Sequence, residues 1–336
     1  MIPLLLAVGL SQDWTLTLGG DLMFNGVRPE SKALNAVSAL LRSSSESMAN
    51  LEVPITDKGK KTERKSAKEL KARSQFILRA DPKHKLSLVN SGLTFVTQAN
   101  NHCMDYGAAG IEQESQILDS IGILHTGAGS NVRDAEKTVT KSIPGRPSIG
   151  LVSVMAFATT AALRKTSPAT SSEPGIAVLN FGGALTKLSL LKLSHRIQQA
   201  HIGCDVLVVG IHWGVERKAT PNGYQVALGR ALIDAGADVV WGHHPHVLEG
   251  AELYRGKPIF YSTGNLVSAL PANTGLFTLF YKDRAVSKAE FHPAKIRNGK
   301  ASLATGRDAT VAIRSYHELC RALLKKYPCK DSTALF

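Results

Sequence analysis

Three histidines lie within four positions, directly after a short apolar segment. The run Val239-Val240-Trp241-Gly242 leads into His243, His244 and His246. Its β-branched and aromatic residues favour a strand over 238–241, and the histidines would follow the end of that strand. A lone histidine is more often a hydrogen-bonded core residue, but imidazole is a common ligand of zinc, manganese, iron and nickel. Three histidines after one strand therefore predict a metal site.

Residues that bind metals or move protons follow four other predicted strands. In open α/β sheets the ligand binds beyond the carboxyl ends of the strands, so residues far apart in the chain can meet there. The predicted strands and the residues after them are 14–18 with Asp21, 47–51 with Glu52, 94–99 with Asn101, His102 and Asp105, and 205–211 with His212 and Glu216.

Carboxylates, an amide oxygen and imidazoles together form a ligand set typical of zinc, manganese or iron. We expect one or two divalent ions, held by Asp21, Glu52, Asn101, His212, His244 and His246. Glu52 could bridge two ions, which in such sites lie roughly 3.5–4 Å apart. His102 is the candidate general acid or base, and Asp105 or Glu216 could orient a histidine.

The elements that would position these residues alternate between strand and helix, which favours parallel crossover units in an α/β fold. We predict one domain over residues 13–336, with no interdomain linker. Helices are predicted over 31–42, 82–91, 108–121, 184–200, 224–235 and 309–327. Further strands are predicted over 74–78, 149–157, 275–281 and 286–292, with a hairpin over 250–262.

The chain has 336 residues, 43% of them hydrophobic, and a formal net charge of +13. This charge suits an anionic polymer or peptide. Motif spacings typical of nucleic-acid binding are missing from the sequence, which disfavours that partner. The segment 57–73 is the most basic, with a net charge of +5. We interpret it as a solvated loop, and the alternative is a flap that grips an anionic substrate.

The segment 1–12 is apolar but too short to span a membrane. It is similar to the core of a secretory signal, although it lacks the usual positive start. A buried first strand is the alternative, so export or envelope association is favoured and a cytoplasmic location stays open. The four cysteines leave the compartment undecided, and Cys320 and Cys329 could form a disulfide.

Six motifs, in this order, resemble the CapA-type poly-γ-glutamate capsule biosynthesis proteins. The resemblance covers about residues 16–267. It implies a branch of the calcineurin-like metallophosphoesterases and a four-layer α/β/β/α sandwich with metals at the strand ends. The motifs are Gly20-Asp21-Leu22-Met23, Asn50-Leu51-Glu52, Ala99 to Gly107 with the core Asn100-Asn101-His102, His212-Trp213-Gly214-Val215-Glu216, Gly242-His243-His244-Pro245-His246-Val247 and Tyr261-Ser262-Thr263-Gly264-Asn265.

The resemblance implies roles for individual residues. Asp21 matches the aspartate of the first phosphoesterase motif, and Met23 stands where the wider superfamily has a histidine, which leaves two-metal occupancy open. Glu52 takes the place of a bridging aspartate. The other matches are Asn101 and His102 as ligand and catalytic imidazole, His212 as an isolated ligand, His244 and His246 as the closing pair, His243 outside that pair, and Asn265 as a residue that holds the site loop.

Three hypotheses about function follow. The first is a metal-dependent hydrolase or transferase that acts on a poly-γ-glutamate-like or other anionic peptide substrate of the capsule or cell envelope. The second is a metallophosphoesterase. The third is a non-catalytic assembly factor that binds the polyanion during its synthesis or export, alongside membrane-bound polymer synthesis proteins. The ligand set favours chemistry over binding alone, and the basic charge suits all three.

Overall fold

The computed structural model describes residues 13–157, 163, 165–179 and 186–336. The signal-like segment 1–12 and the first positions of the helix predicted over 184–200 lie outside these residues. The strands are β1 (Asp13–Leu22), β2 (Glu46–Leu51), β3 (Phe95–Thr97), β4 (Leu124–Thr126), β5 (Ala128–Gly129), β6 (Val139–Lys141), β7 (Ile149–Ala156), β8 (Gly175–Ile176), β9 (Val206–Trp213), β10 (Val239–His243), β11 (Ala251–Tyr254), β12 (Lys257–Phe260), β13 (Asn265–Val267), β14 (Ala272–Lys282), β15 (Ala285–Arg297), β16 (Lys300–Leu303) and β17 (Ser332–Ala334). The helices are α1 (Ser38–Ser43), α2 (Ala67–Lys71), α3 (Lys85–Val89), α4 (Gly107–Asp119), α5 (Val132–Ala135), α6 (Lys187–Ile202), α7 (Gly223–Asp234) and α8 (Gly306–Lys326), with 3-10 turns at Pro29–Ser31 and Pro82–His84.

Within the described part of the chain, the strands form two large sheets and one small pair. The first sheet has the order β16-β15-β14-β1-β2-β3-β4, with β13 also paired to β1. The second has the order β17-β11-β12-β10-β9-β7-β6. Strands β1 to β4 run parallel to one another, as do β7, β9, β10 and β12. The parallel centre of each sheet therefore directs its carboxyl ends to one edge.

The two sheets pack face to face, and helices cover both outer faces. Alternating strand residues bury opposite faces, as a period of two requires. Val208 and Trp241 lie in the core between the sheets, whereas Val209 and Val240 pack under the outer helices. Leu193 of α6, Leu228 of α7, and Leu41, Leu88 and Leu118 of α1, α3 and α4 complete the outer cores. The predicted α/β/β/α layering is confirmed.

Two predicted elements are wrong. Residues 31–42 are helical only from Ser38, because Lys32 takes a left-handed φ of 53° and the following residues form tight turns such as Val37 N to Leu34 O at 3.1 Å. Residues 74–78 do not form a strand. Their backbone groups bind side chains instead, with Leu78 N donating to Asp105 Oδ2 at 2.7 Å.

The disulfide that Cys320 and Cys329 could form is not present, because all four cysteines are free. Cys320 is buried between the sheets, where its Sγ accepts from Ala251 N at 3.3 Å. Cys329 packs against the outer core beneath α6 and α7 instead. The two thiols therefore belong to different layers. Among the described residues, no helix is both long and apolar enough to cross a lipid bilayer.

Glycines at the junction of the sheets allow close packing of the backbone. Gly20 lies inside β1, and a Cβ there would come within 2.1 Å of Gly264 O. A Cβ on Gly242 would come within 2.1 Å of Tyr261 O. Since real Cβ atoms do not approach carbonyl oxygens so closely, only glycine lets β13 and β12 lie against the strands that carry Asp21 and His243.

Trp241 joins the two sheets beside these glycines. Its indole N–H donates to Gly19 O at 3.0 Å and lies 3.2 Å from Thr263 Oγ1. The ring is fully buried. This bond fixes the end of β10 against the end of β1, which is the relation that brings histidines of the second sheet to carboxylates of the first.

We predict that Trp241→Phe lowers the free energy of unfolding by about 1–3 kcal/mol, the cost of losing a buried hydrogen bond. It should also weaken metal binding, because β1 and β10 are no longer held together. Trp14→Phe is the matched control, since Trp14 Nε1 donates to Asp283 O at 2.8 Å at the opposite end of β1. Urea denaturation would measure the stability of both variants, and metal titration would measure their metal affinity. Equal loss of metal affinity in Trp241→Phe and Trp14→Phe would contradict the prediction.

Candidate metal centre

Eight of the singled-out residues meet at the junction of the two sheets. The first sheet supplies the carboxylates and the Asn-His pair, and the second supplies the histidines. The strand register explains the meeting, because Asp21 pairs with Asn50 on β2 and with Asn265 on β13, and His243 pairs with His212 on β9. The residues are Asp21, Glu52, Asn101, His102, His212, His243, His244 and His246.

Glu52 belongs to two groups of candidate metal ligands. One group is Glu52, His212 and His244, and the other is Asp21, Glu52 and His246. Within each group the ligand atoms lie within 4.8 Å of one another. A carboxylate with two oxygens between two sets of ligands is the arrangement that could hold two divalent ions.

Asp21 is fully buried and surrounded by donors. Asn50 Nδ2 donates to its Oδ1 at 2.9 Å, His243 Nδ1 lies 2.8 Å from Oδ1, and His246 Nδ1 lies 3.2 Å from Oδ2. Burial alone would raise the pKa of the carboxyl, but His243 and His246 outweigh it and hold that pKa well below its ordinary value. Asp21 is therefore a carboxylate in the folded protein.

Glu52 is fully buried as well, and its Oε1 makes no hydrogen bond with any described residue. The nearest nitrogens are His212 Nε2 at 3.5 Å and His246 Nε2 at 3.6 Å. Burial raises the pKa of the Glu52 carboxyl well above its ordinary value, and the neighbouring charge of Asp21 raises it further. A buried oxygen without a partner, beside a second carboxylate, fits a divalent cation.

His212 and His244 direct nitrogens at each other, with 3.1 Å between His244 Nδ1 and His212 Nε2. Burial lowers the pKa of His212 well below its usual value, and a charge on His244 would lower it further. Burial, with His246 next, lowers the pKa of His244 to about 3. Both rings are therefore neutral imidazoles, the form that binds metals. Asn101 Oδ1 lies 2.7 Å from His212 Nε2 and completes this group.

His246 behaves differently from these two rings. Burial opposes its charge, but the carboxylates of Glu52 and Asp21 raise the pKa of His246 to about 10. A protonated His246 thus supplies the positive charge that the two carboxylates require. A divalent cation would supply the same charge, so the residues present fit a metal site.

The backbone at these histidines is strained. His244 has φ 96° and His246 has φ 58°, both in the left-handed region that favours glycine. Such residues cost on the order of 1–3 kcal/mol each and occur mostly at functional sites. His246 is held by Asn265 Oδ1, which lies 2.9 Å from its Nδ1, and Pro245 O accepts from Arg217 N at 2.8 Å.

His102 lies beside the ligand groups and pairs with Asp105. Its Nδ1 is 2.7 Å from Asp105 Oδ2, and its backbone N–H donates to Asn100 Oδ1 at 3.1 Å. Burial lowers the pKa of His102, the charge of Lys65 lowers it further, and Asp105 partly offsets both. The Asp105 contact fixes one ring nitrogen and leaves Nε2 for another partner.

Lys65 is the main surprise in the basic segment. Its side chain is buried, its Nζ donates to Asp105 Oδ1, and it also donates to Phe76 O at 2.8 Å and Asn101 O at 3.1 Å. Burial lowers the pKa of Lys65, against the effect of Asp105. The interpretation of 57–73 as a solvated loop holds for Lys60 and Lys61, which are exposed, but is wrong for Lys65.

Three further residues show what the structure adds to the sequence analysis of this site. His243, placed outside the closing pair, is in neither ligand group, but it contacts Asp21 and is almost fully buried. Glu216, a candidate to orient a histidine, is exposed at the rim and makes no hydrogen bond to a histidine of the described chain. Asn50 had no assigned role, although a spacing of two along a strand puts it on the same side as Glu52.

Two cavities open beside the ligand groups. The larger has a volume of about 1350 Å³ and is bordered by His246, Asn265 and the face of α8 that carries Val311. The smaller has a volume of about 730 Å³ and is bordered by Asn101 and His244. His102, Phe76 and Glu216 border both.

The layers and this site define the class of the protein, an α/β metallo-dependent phosphatase-like fold. A crystal structure described as a novel phosphatase from Mycoplasma pneumoniae matches with a TM-score of 0.51 and 11% identity, over 91% of this chain and 98% of that chain. A family model, described as bacterial capsule synthesis protein PGA_cap, matches residues 15–270. The chain belongs to this CapA-type family of bacterial capsule synthesis proteins.

Two relatives agree with this assignment. The capsule biosynthesis protein CapA of Bacillus anthracis is 31% identical over 262 residues, which are 75% of this chain and 59% of the relative. The PGA biosynthesis protein CapA of Bacillus subtilis is 32% identical over 254 residues, 74% of this chain and 57% of the relative. The matched region thus spans less than two thirds of each relative.

We predict that His244→Ala removes bound metal from the Glu52, His212 and His244 group. His243→Ala should have a smaller effect, on the order of 10–100-fold in affinity, because His243 contacts the ligand Asp21 rather than the ligand groups. His195→Ala, on the exposed face of α6, is the control. Elemental analysis and calorimetry with Mn²⁺ and Zn²⁺ would measure this, and unchanged occupancy in His244→Ala would refute it.

A second prediction concerns Lys65. Lys65→Met should lower the free energy of unfolding by about 3–5 kcal/mol, because it leaves the buried carboxylate of Asp105 without its cationic partner. Lys60→Met removes the same charge from the surface and should change stability by less than about 0.5 kcal/mol. Denaturant unfolding of the two variants gives the comparison. Similar stabilities would show that Lys65 is solvated after all.

Proposed function

We propose that this protein is a metal-dependent hydrolase that cleaves an anionic, polyglutamate-like polymer of the capsule or cell envelope. The observation that supports this most is Glu52, whose partnerless Oε1 lies between two groups of metal ligands beside His102. A scaffold that only bound a polymer would gain nothing from two buried carboxylates whose charge must be compensated.

The six residues proposed to hold the metal are Asp21, Glu52, Asn101, His212, His244 and His246. Manganese, zinc or iron fits best, because the imidazoles are softer ligands than water or carboxylate. A bound divalent cation would act as a Lewis acid on a carbonyl or phosphoryl oxygen of the substrate. His243 and His246 keep Asp21 ionised, and the hydrogen bond from Asn50 Nδ2 helps to fix the orientation of its carboxylate.

His102 is proposed as the general acid or base. Asp105 holds its Nδ1, and Lys65 holds Asp105, so the imidazole keeps one orientation and its Nε2 can exchange a proton with the substrate. Because its pKa is lowered, the ring is mostly neutral near pH 7 and can accept a proton as well as return it.

Substrate and location rest on three supporting facts. The relatives are named as capsule and PGA biosynthesis proteins, the net charge is +13, and arginines line the larger cavity. Together they support an anionic polymer outside the cytoplasm, handled alongside membrane-bound synthesis proteins.

Two other functions have support of their own. The similarity of the fold to a structure described as a phosphatase favours a metallophosphoesterase, which would use the same residues on a phosphate ester. A non-catalytic assembly factor is favoured by the exposed lysines Lys58, Lys60 and Lys61, which could bind a polyanion without the candidate metal ligands.

Substituting His102 separates enzyme from binder. His102→Ala should leave metal content unchanged and lower turnover of γ-linked polyglutamate by roughly 10²–10⁴-fold, the usual contribution of a positioned proton-transfer group. Turnover of the polymer and of p-nitrophenyl phosphate would be measured in parallel, with the metal-loaded protein.

A matched control is the triple change of Lys58, Lys60 and Lys61 to Gln, which lowers surface charge only. The hydrolase proposal predicts normal turnover by this variant. If it abolishes capsule formation in cells while His102→Ala is silent, the protein is an assembly factor. Loss of phosphate-ester turnover alone in His102→Ala would identify a phosphoesterase.

A further inference from the structure

The two cavities border the proposed reaction centre at different ligand residues. The larger one reaches His246, a member of the ligand group that contains Asp21, and the smaller one reaches His244, a member of the other group. His102 borders both. The centre is therefore not at the bottom of a pocket. It lies where two cavities join.

Each cavity also reaches the surface. In the larger cavity Leu270 is 64% exposed and Val311 is 54% exposed, and in the smaller one Val215 is 43% exposed. Sites for small ligands typically enclose about 300–1,000 Å³, and the larger cavity alone exceeds this range. A small ester or a single chain end would fill only a part of this space.

The larger cavity has a net positive lining, because its three arginines and one lysine outnumber its two carboxylates, Glu216 and Asp308. Arg73, Arg217 and Arg307 line it, and none of the three forms an ion pair with a described residue. The lysine of this cavity, Lys295, is paired with Asp308 at 2.6 Å. In the smaller cavity Lys165 is paired with Glu69. Free arginines favour carboxylates, because the guanidinium can bind them in a bidentate manner.

We propose that a linear polyanion lies across the centre, with one arm in each cavity, and that the bond cut is an internal amide of the chain. This rests on the proposed hydrolase function and specifies its substrate path. Water adds across the amide, with its hydroxyl to the carbonyl carbon and its proton, through His102, to the leaving nitrogen. The products are a shorter chain with a new carboxylate and a second chain with a new amine.

The test uses the metal-loaded protein and γ-linked polyglutamate of one length, either free at its ends or capped at both ends by biotin–streptavidin. A path open on both sides predicts that capped and free chains are cut at rates within about twofold, with fragments of intermediate length appearing first. If the capped chain resists cleavage, or if the free chain releases single residues, the proposed path is wrong. The proposed hydrolase function would still stand.

Narrowing each cavity separately gives an independent test. Ala312→Trp narrows the larger cavity and Gln75→Trp the smaller one, and each should weaken binding of the capped chain on the order of tenfold. Arg314→Trp, an exposed position of α8 that does not line the cavity, is the matched control. Circular dichroism checks folding, and Ser315→Trp repeats the block if Ala312→Trp does not fold.

The binding measurement also decides the case in which neither chain is cut. The proposed hydrolase function is then wrong for this polymer. The path is judged by polymer binding alone, measured by fluorescence anisotropy. The path is supported if capped and free chains bind equally well and if Ala312→Trp and Gln75→Trp each weaken that binding. If the capped chain does not bind, or only one arm variant matters, the path is wrong.

Discussion

Two carboxylates buried side by side impose the constraint on which the rest of this structure depends. Asp21 and Glu52 are both inaccessible to solvent, and burying a charge without a partner is among the most costly events in folding. The surroundings supply the compensation through Asn50, His243 and a protonated His246. The compensation is incomplete, since Glu52 Oε1 stays without a hydrogen bond. The fold thus concentrates negative charge where a cation can bind.

That concentration is possible because the two sheets direct their parallel carboxyl ends to the same place. Carboxylates come from the first sheet and most imidazoles from the second, so neither sheet alone contains a ligand group. The junction depends on close backbone contact at Gly20 and Gly242 and on the hydrogen bond of Trp241. The contacts that pack the two sheets together therefore also set the geometry of the site. The strained backbone at His244 lies at this junction.

The surroundings of the candidate site extend beyond the region that matches the family. The family match ends at residue 270, whereas the far wall of the larger cavity is built by residues beyond it, including Val311 and Leu319 on α8. The candidate metal ligands and His102 lie inside the matched region. The candidate site therefore belongs to the part shared with the family, and one wall of the larger cavity belongs to the part outside the match.

The residues by themselves predicted an α/β fold and most of the candidate site, and the family resemblance added the four layers. Strand and helix alternate with clear periodicity, and the residues that could bind metals stand at strand ends, where a parallel sheet brings them together. Both patterns are local, so they can be recognised in the sequence without knowledge of the fold. The helix over 31–42 and the strand over 74–78 were wrong because turn bonds and the Asp105 side chain took up the backbone groups. Tertiary structure alone decided that Lys65, one of many lysines in a basic segment, is buried beneath His102, and that His243 contacts Asp21. Those two facts depend on which residues lie opposite across a junction of segments far apart in the chain, and no spacing along the sequence encodes such a distance.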